Sequence, residues 1–219
     1  MNHQTNLAGL IMEEYWKVES VNLDNIGFVK TKLSDEDYQH LVRECLKKHD
    51  YKMVSGLSDD GVPDPFFIKN PKSLIIIKKY TTSLIDLYYE RYPSYLKSMK
   101  MMDRDCMIKL GDVWINYQKS GEYIPTHEHD GVYSFNIWIK LPYNSKDKRF
   151  SGNFVFNYDN ILGNKMNYII KLSQQDQATM TLFPSKLQHQ VYPFYDSDQT
   201  RISIAGNLGF STQWKKIYT

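Results

Sequence analysis

An α+β fold is what this sequence predicts: a helix-rich part over residues 1–105 and a β core over 106–219, joined in a single domain, 1–219. Three observations point to it. Two stretches of the first half carry the apolar period and the end signals of helices. The second half breaks into about eight short β-type segments separated by turn residues, the pattern of a sandwich, a jelly roll or a barrel. No Gly/Ser-rich or Pro-rich linker divides the halves, so helices buttressing a double-stranded β core is the simplest arrangement.

The clearest helix is "LSDEDYQHLVRECLKKHD". Ser34 is a plausible N-cap and acidic residues fill the first turn, where they complement the helix dipole. Tyr38, Leu41, Val42, Cys45 and Leu46 fall on one stripe, with Lys47, Lys48 and His49 at the C-terminal end. His40 lies off that stripe, so both it and His49 read as surface residues. "DDGVPDPFF", at 59–67, is a loop. "SLIIIKKYTTSLIDLYYERYP" reads as a second helix with Pro93 at or beyond its end, although Leu74–Ile77 alone also fits a buried strand. The β-type segments then run "CMIKL", "DVWINYQ", "YSFNIWIKL", "NFVFNY", "NYIIKL", "QATMTLF", "HQVYPFY" and "RISIAGNLGF".

Composition narrows the classes of function. The 219 residues are 42% hydrophobic and 14% aromatic, enough for a substantial core. The 17 tyrosines suit a half-wet interior better than a special role. A net charge of +2 from 27 basic and 25 acidic residues, without a long run of either sign, argues against binding to nucleic acid. No stretch approaches the ~18 apolar residues of a membrane span. Cys45 and Cys106 are not a disulfide framework and suit a reducing, cytoplasmic setting. The opening "MNHQTNLAGLIMEEYWK" lacks the features of a secretory signal.

The chemistry-bearing residues lie in the β half. "PTHEHDG" places His127 and His129 two apart, and in a strand such residues face one side. Neutral imidazoles in that arrangement suit iron, copper, zinc or nickel. Taken alone, the motif equally fits a solvated turn with Glu128 and Asp130 facing water. "TLFPSKLQHQVYPF" supplies His189, the only histidine after His129. It is either a third ligand on the same face or a structural histidine bonded to a backbone carbonyl. "TRISIAGNL" puts Arg201, Ser203 and Ala205 on one strand face. An inward Arg there needs an anion, which its planar fork grips at two points. The alternative is a surface Arg paired with Asp196 or Asp198.

The set "DVWINYQKSGEYIPTHEHDGVYSFNIWIKLPY", "GNFVFNY" and "TMTLFPSKLQHQVYPFYDSDQTRISIAGNLG" resembles the small 2-oxoglutarate/iron(II)-dependent oxygenases of bacteria and tailed phages. The likeness covers roughly residues 110–210, and "FPSKLQHQVYPF…RISIAGN" is its most specific part. It implies a double-stranded β-helix (jelly roll) core buttressed by N-terminal helices, in a bacterial or infected-host cytosol. Iron(II) would be the metal and 2-oxoglutarate the cosubstrate. His127 and His189 match the family's histidine ligands, and Arg201 with Ser203 matches the residues that hold the far carboxylate of 2-oxoglutarate. Asn116, also assigned to cosubstrate binding, and Trp114 and Asn136 would line the same cavity.

One position departs from the family pattern, which has Asp or Glu two residues after the first histidine; here it is His129. Three readings stay open: three histidine ligands, two histidines completed by water or Asp130, or a degenerate site. His129 is favoured over Glu128, which would point to the opposite strand face. The resulting expectation is an oxygenase that hydroxylates a small-molecule or peptide substrate. The alternatives are a non-enzymatic jelly-roll binding or virion module, and a three-histidine cupin-type dioxygenase that does not use 2-oxoglutarate. Arg201 discriminates the cupin-type reading, because such an enzyme needs no inward carboxylate anchor there.

Overall fold

The computed structural model describes residues 27–52, 66–95, 108–143 and 151–210. Their elements are β1 (Val29–Lys32), α1 (Asp35–Lys52), β2 (Phe66–Phe67), α2 (Pro71–Arg91), β3 (Ile108–Gln118), β4 (Ile124–His127), β5 (Tyr133–Lys140), β6 (Phe154–Asp159), β7 (Lys165–Ile170), β8 (Thr179–Pro184), β9 (Gln188–Val191) and β10 (Arg201–Phe210). A six-stranded sheet runs β1-β8-β5-β10-β3-β2, and a four-stranded sheet runs β4-β9-β6-β7. Every pairing is antiparallel. This is the jelly roll, with α1 and α2 packed on the outer face of the larger sheet.

Strand alternation sorts side chains into two layers. On β5, Tyr133, Phe135, Ile137 and Ile139 join the helix layer with Leu41, Cys45, Ile77, Leu84 and Tyr88. Between them, Ser134, Asn136 and Trp138 turn toward the smaller sheet, where Trp138 meets Phe154, Phe156, Phe183 and Phe194. Arg201 and Ser203 on β10 have the same inward phase, because Ile202 and Ile204 belong to the helix layer. Each fully buried aliphatic or aromatic side chain contributes about 1.5–3 kcal/mol, so this alternation holds the register.

Ser34 caps α1, its Oγ accepting from the Asp37 amide at 3.3 Å. Asn70 caps α2, accepting from the Lys72 amide at 3.0 Å. Helix α2 begins at Pro71 and carries Leu74–Ile77 in its first turns, which removes the strand alternative. Pro93 falls beyond its end. The stripe on α1 buries Leu41 and Cys45 fully but leaves Leu46 46% exposed. His40 is not a plain surface residue: its ring is half-buried, 3.1 Å from Ser73 Oγ on α2.

Several strand boundaries differ from expectation. "IKL" and "DVWINYQ" form one long β3, since both feed the pairing with β10. Cys106 lies outside the described residues, as does the 59–65 part of the expected loop. Phe66–Phe67 pairs with Ile115 and Trp114 as β2. The strand β9 stops at Val191, short of Pro193. Strand β1 was not expected, and the strand read through His127 and His129 ends at His127 as β4.

Candidate metal centre

The smaller sheet sets two histidines side by side. Strand β4 runs antiparallel to β9 with His127 opposite His189, so both imidazoles project from one face and their ring centroids lie 4.3 Å apart. Nδ1 of His127 is 2.8 Å from the Pro125 carbonyl oxygen. Nδ1 of His189 is 2.9 Å from the Leu187 carbonyl oxygen. A carbonyl only accepts, so each Nδ1 carries the proton and each Nε2 offers a lone pair. This is how a ligating histidine is held in one tautomer. His189 is 4% exposed, stacked on Phe154 with ring centroids 5.4 Å apart.

His129 arrives by a different route from the one its spacing suggested. β4 ends at His127, and His129 stands in the turn beyond it. The turn is pinned on both sides. The His129 amide donates to the Ser185 carbonyl at 2.9 Å, the Val132 amide donates to the Leu208 carbonyl at 2.7 Å, and the Ser185 amide donates to the Val132 carbonyl at 3.1 Å. Gly131 has φ +125°, and a Cβ there would stand 2.9 Å from the Leu208 oxygen. Only glycine fits both constraints. The His129 ring then lies 4.9 Å from that of His127, 5.1 Å from that of His189 and 5.8 Å from that of Trp114. One ring nitrogen from each of the three histidines falls within 4.8 Å of the others.

Burial is the main cause of the altered basicity of two of these rings. It pushes His129 down to about 4, assisted by the neighbouring His127 and by Lys186 and opposed by Asp130. It pushes His189 down to about 3; the Leu187 carbonyl opposes this, and the other two imidazoles add to it. At neutral pH both rings are uncharged, the form that ligates a metal.

Asp130 does not reach the cluster. Its side chain is 98% exposed, and its Oδ1 is 3.1 Å from Lys186 Nζ, which also lies 3.0 Å from Glu128 Oε1. Lys186 thus draws both carboxylates to the outside of the turn. The expectation that Asp130 lines the pocket or completes a metal shell is therefore corrected.

Arg201 opens β10 opposite Gln118 of β3, inside the barrel. It is 2% exposed, and its Nε and Nη1 have no hydrogen-bond partner. Burial lowers its basicity, while Tyr143 works in the opposite direction. That burial overturns the alternative of a surface Arg. Ser203 faces Asn116 on one side and Trp138 on the other. Ala205 faces Trp114 and Asn136. These rows put Arg201, Ser203, Asn116, Trp114 and Asn136 on one wall. From the Ala205 row beside His129 to Arg201 is about 13 Å along the strand, at ~3.3 Å per residue.

Sequence reasoning overlooked Ser134, Ser185 and Asn207. Ser134 Oγ donates to Asn207 Oδ1 at 2.7 Å and lies 3.0 Å from Ser185 Oγ, tying β5 and β10 to the segment that receives the His129 amide. Polar residues at the inward phase of "YSFNIWIK" were the available signal.

The chain's groups fit a metal and an organic anion. Three imidazole nitrogens are a donor set for iron and its neighbours in the first transition row. A buried guanidinium with two unpaired nitrogens calls for a carboxylate.

Comparison with known proteins agrees with this chemistry. Residues 112–207 match the family described as "Putative 2OG-Fe(II) oxygenase", whose cofactors are iron(II) and 2-oxoglutarate. No curated protein sequence matches the chain. Among solved structures, a prolyl hydroxylase from Trichoplax adhaerens, in complex with a hypoxia inducible factor peptide fragment, is similar. Its TM-score is 0.58 at 14% identity, covering 89% of this chain and 88% of that one. A prolyl-4-hydroxylase from Pseudomonas putida gives a TM-score of 0.54 at 11% identity, covering 83% of this chain and 92% of that one. At these identities the likeness is one of fold: both share the jelly roll.

Proposed function

We propose that the chain is a 2-oxoglutarate- and iron(II)-dependent oxygenase that hydroxylates a C–H bond of a peptide or small-molecule substrate. His127, His129 and His189 would hold the iron through their free ring nitrogens, and Arg201 with Ser203 would hold the far carboxylate of 2-oxoglutarate. Bound there, iron(II) and 2-oxoglutarate would supply the O₂ chemistry, in which one oxygen atom goes to the substrate and the other to the succinate left when 2-oxoglutarate loses CO₂.

The chain's part is geometric and electrostatic. The Pro125 and Leu187 carbonyls fix the tautomers of His127 and His189. The turn pinned by Ser185 and Leu208 carries His129 to the same point. Arg201 anchors one end of the cosubstrate so that its other end reaches the histidines. Trp114, Asn116 and Asn136 wall the space, and Phe154 and Phe183 exclude water behind His189.

The observation that carries this reading is the pair of unpartnered Arg201 nitrogens, buried in the same barrel as the histidine cluster. A three-histidine dioxygenase without 2-oxoglutarate would leave that guanidinium without purpose, and so would a binding or virion module. The test is a pair of dissociation constants, for iron(II) and for 2-oxoglutarate, in wild type and Arg201→Ala. Removing one partner of a buried charge pair costs about 2–5 kcal/mol, so 2-oxoglutarate affinity should fall by one to several orders of magnitude while iron binding holds. Unchanged 2-oxoglutarate affinity would remove the anchor, and equal loss of both ligands would make Arg201 structural.

A further inference from the structure

The turn that carries His129 does not hold itself. Gly131 stands in it at φ +125°, and glycine imposes no shape of its own. The shape comes from bonds to other segments, and one of these belongs to the helix layer. Beyond the end of α2, the Tyr92 amide donates to the Tyr88 carbonyl at 2.8 Å, and the Tyr95 amide donates to the Tyr92 carbonyl at 3.1 Å. These bonds wrap the chain past Pro93 and bring Tyr95 against the start of β5. Its hydroxyl donates to the Val132 carbonyl at 2.7 Å. That carbonyl also accepts from the Ser185 amide at 3.1 Å, and the Ser185 carbonyl accepts from the His129 amide at 2.9 Å. From Ser185 the chain runs to Leu187, whose carbonyl holds Nδ1 of His189. The Val132 carbonyl is thus the point where the segments bearing His129 and His189 meet, and Tyr95 grips it from the helix layer.

Packing alone does not explain this bond. The Tyr95 ring centroid lies 5.5 Å from those of both Tyr88 and Tyr133, and a phenylalanine would fill the same space. Tyr133 Oη is buried in the same cluster without a hydrogen-bond partner, so the layer does not require that every hydroxyl be bonded. Burial pushes the Tyr95 phenol above its ordinary range, so near neutral pH it keeps its proton and donates. We propose that Tyr95 is a positioning residue of the metal centre: through Val132 and Ser185 it sets the His129 turn, and with it the third nitrogen donor. The inference rests on reading the three histidines as metal ligands.

The experiment compares Tyr95→Phe with Tyr88→Phe in the full chain. Tyr88→Phe removes a hydroxyl of the same cluster whose bond, 3.2 Å to the Gly27 carbonyl, does not touch the turn. Cobalt(II) is the probe, and its visible spectrum reports the donor set. Losing one hydrogen bond to the turn should weaken cobalt binding in Tyr95→Phe about three- to tenfold and alter that spectrum. Tyr88→Phe should match wild type in both. In the metal-free protein, amide hydrogen exchange at His129 and Ser185 should quicken in Tyr95→Phe and not in Tyr88→Phe. Wild-type cobalt affinity and spectrum in Tyr95→Phe would overturn the proposal. So would equal losses in the two variants, which would make the Tyr95 hydroxyl merely structural, and so would unchanged exchange at both amides. Failure of wild type to bind cobalt would instead overturn the reading of the site, and this inference with it.

Discussion

Arg201 and His189 show what single residues contribute. A buried guanidinium without an anion costs several kcal/mol, which a bidentate carboxylate offsets. Arg201→Lys keeps the charge and loses the fork. Its 2-oxoglutarate affinity should fall between wild type and Arg201→Ala, as calorimetry would measure. His189 and His129 both lower the acid stability of the metal-free protein, and His189 is the more strongly shifted. Its folded pKa, about 3, lies below the ordinary value of 6.5. The unfolded chain therefore takes up a proton that the folded chain refuses. The penalty is absent well above pH 6.5, begins as pH falls through 6.5, and grows until pH reaches about 3. At ~1.36 kcal/mol per unit, His189 should account for up to about 2 kcal/mol of stability lost between pH 6.5 and 5. Denaturant midpoints at the two pH values should show this slope in wild type and a flatter one in His189→Gln. A slope unchanged by the substitution would count against a buried neutral ring. Arg201 was legible in the sequence because a charge in an apolar strand has few explanations. His40 was not, because its contact, Ser73, sits on another helix.

At the scale of elements, the His-X-His spacing led to the correct cluster for an incomplete reason. A strand would have aligned both rings on one face; instead β4 ends at His127, and a pinned turn carries His129 to the same point. Periodicity cannot report such a turn, since the hydrogen bonds that shape it come from Ser185 and Leu208, distant in sequence. Gly131 is its weak point. Gly131→Ala forces a Cβ into a backbone region closed to alanine and against the Leu208 oxygen. It should cost about 1–3 kcal/mol of stability. It should also weaken metal binding more than a surface substitution such as Ile161→Ala, in parallel thermal melts and metal titrations. A Gly131→Ala protein with full metal affinity would show that the turn does not place His129.

For the whole molecule, the β half was legible because its strands alternate and its turns are polar, as in "YSFNIWIKL". Strand β1 was not. Its four residues bury only Val29 and exist as a strand by pairing with β8, far along the chain. Helix α2 was legible from its length, which outweighs the local ambiguity of Leu74–Ile77. Because the histidines join β4, its turn and β9, metal should tie the smaller sheet to the larger. Metal at about 100 times its dissociation constant adds ~2.7 kcal/mol of stability. That should raise the melting temperature by about 5–11 °C for a chain of this size, and the rise should vanish on chelation and in His127→Ala.

The central claim is that the three histidines and Arg201 hold iron(II) and 2-oxoglutarate together, and anaerobic titration of the iron-loaded protein with 2-oxoglutarate tests it most directly. The account predicts a weak visible charge-transfer band that saturates at one 2-oxoglutarate per chain and is lost in His189→Ala. Tight iron binding with no band at saturating 2-oxoglutarate, or a band that survives His189→Ala unchanged, would contradict it.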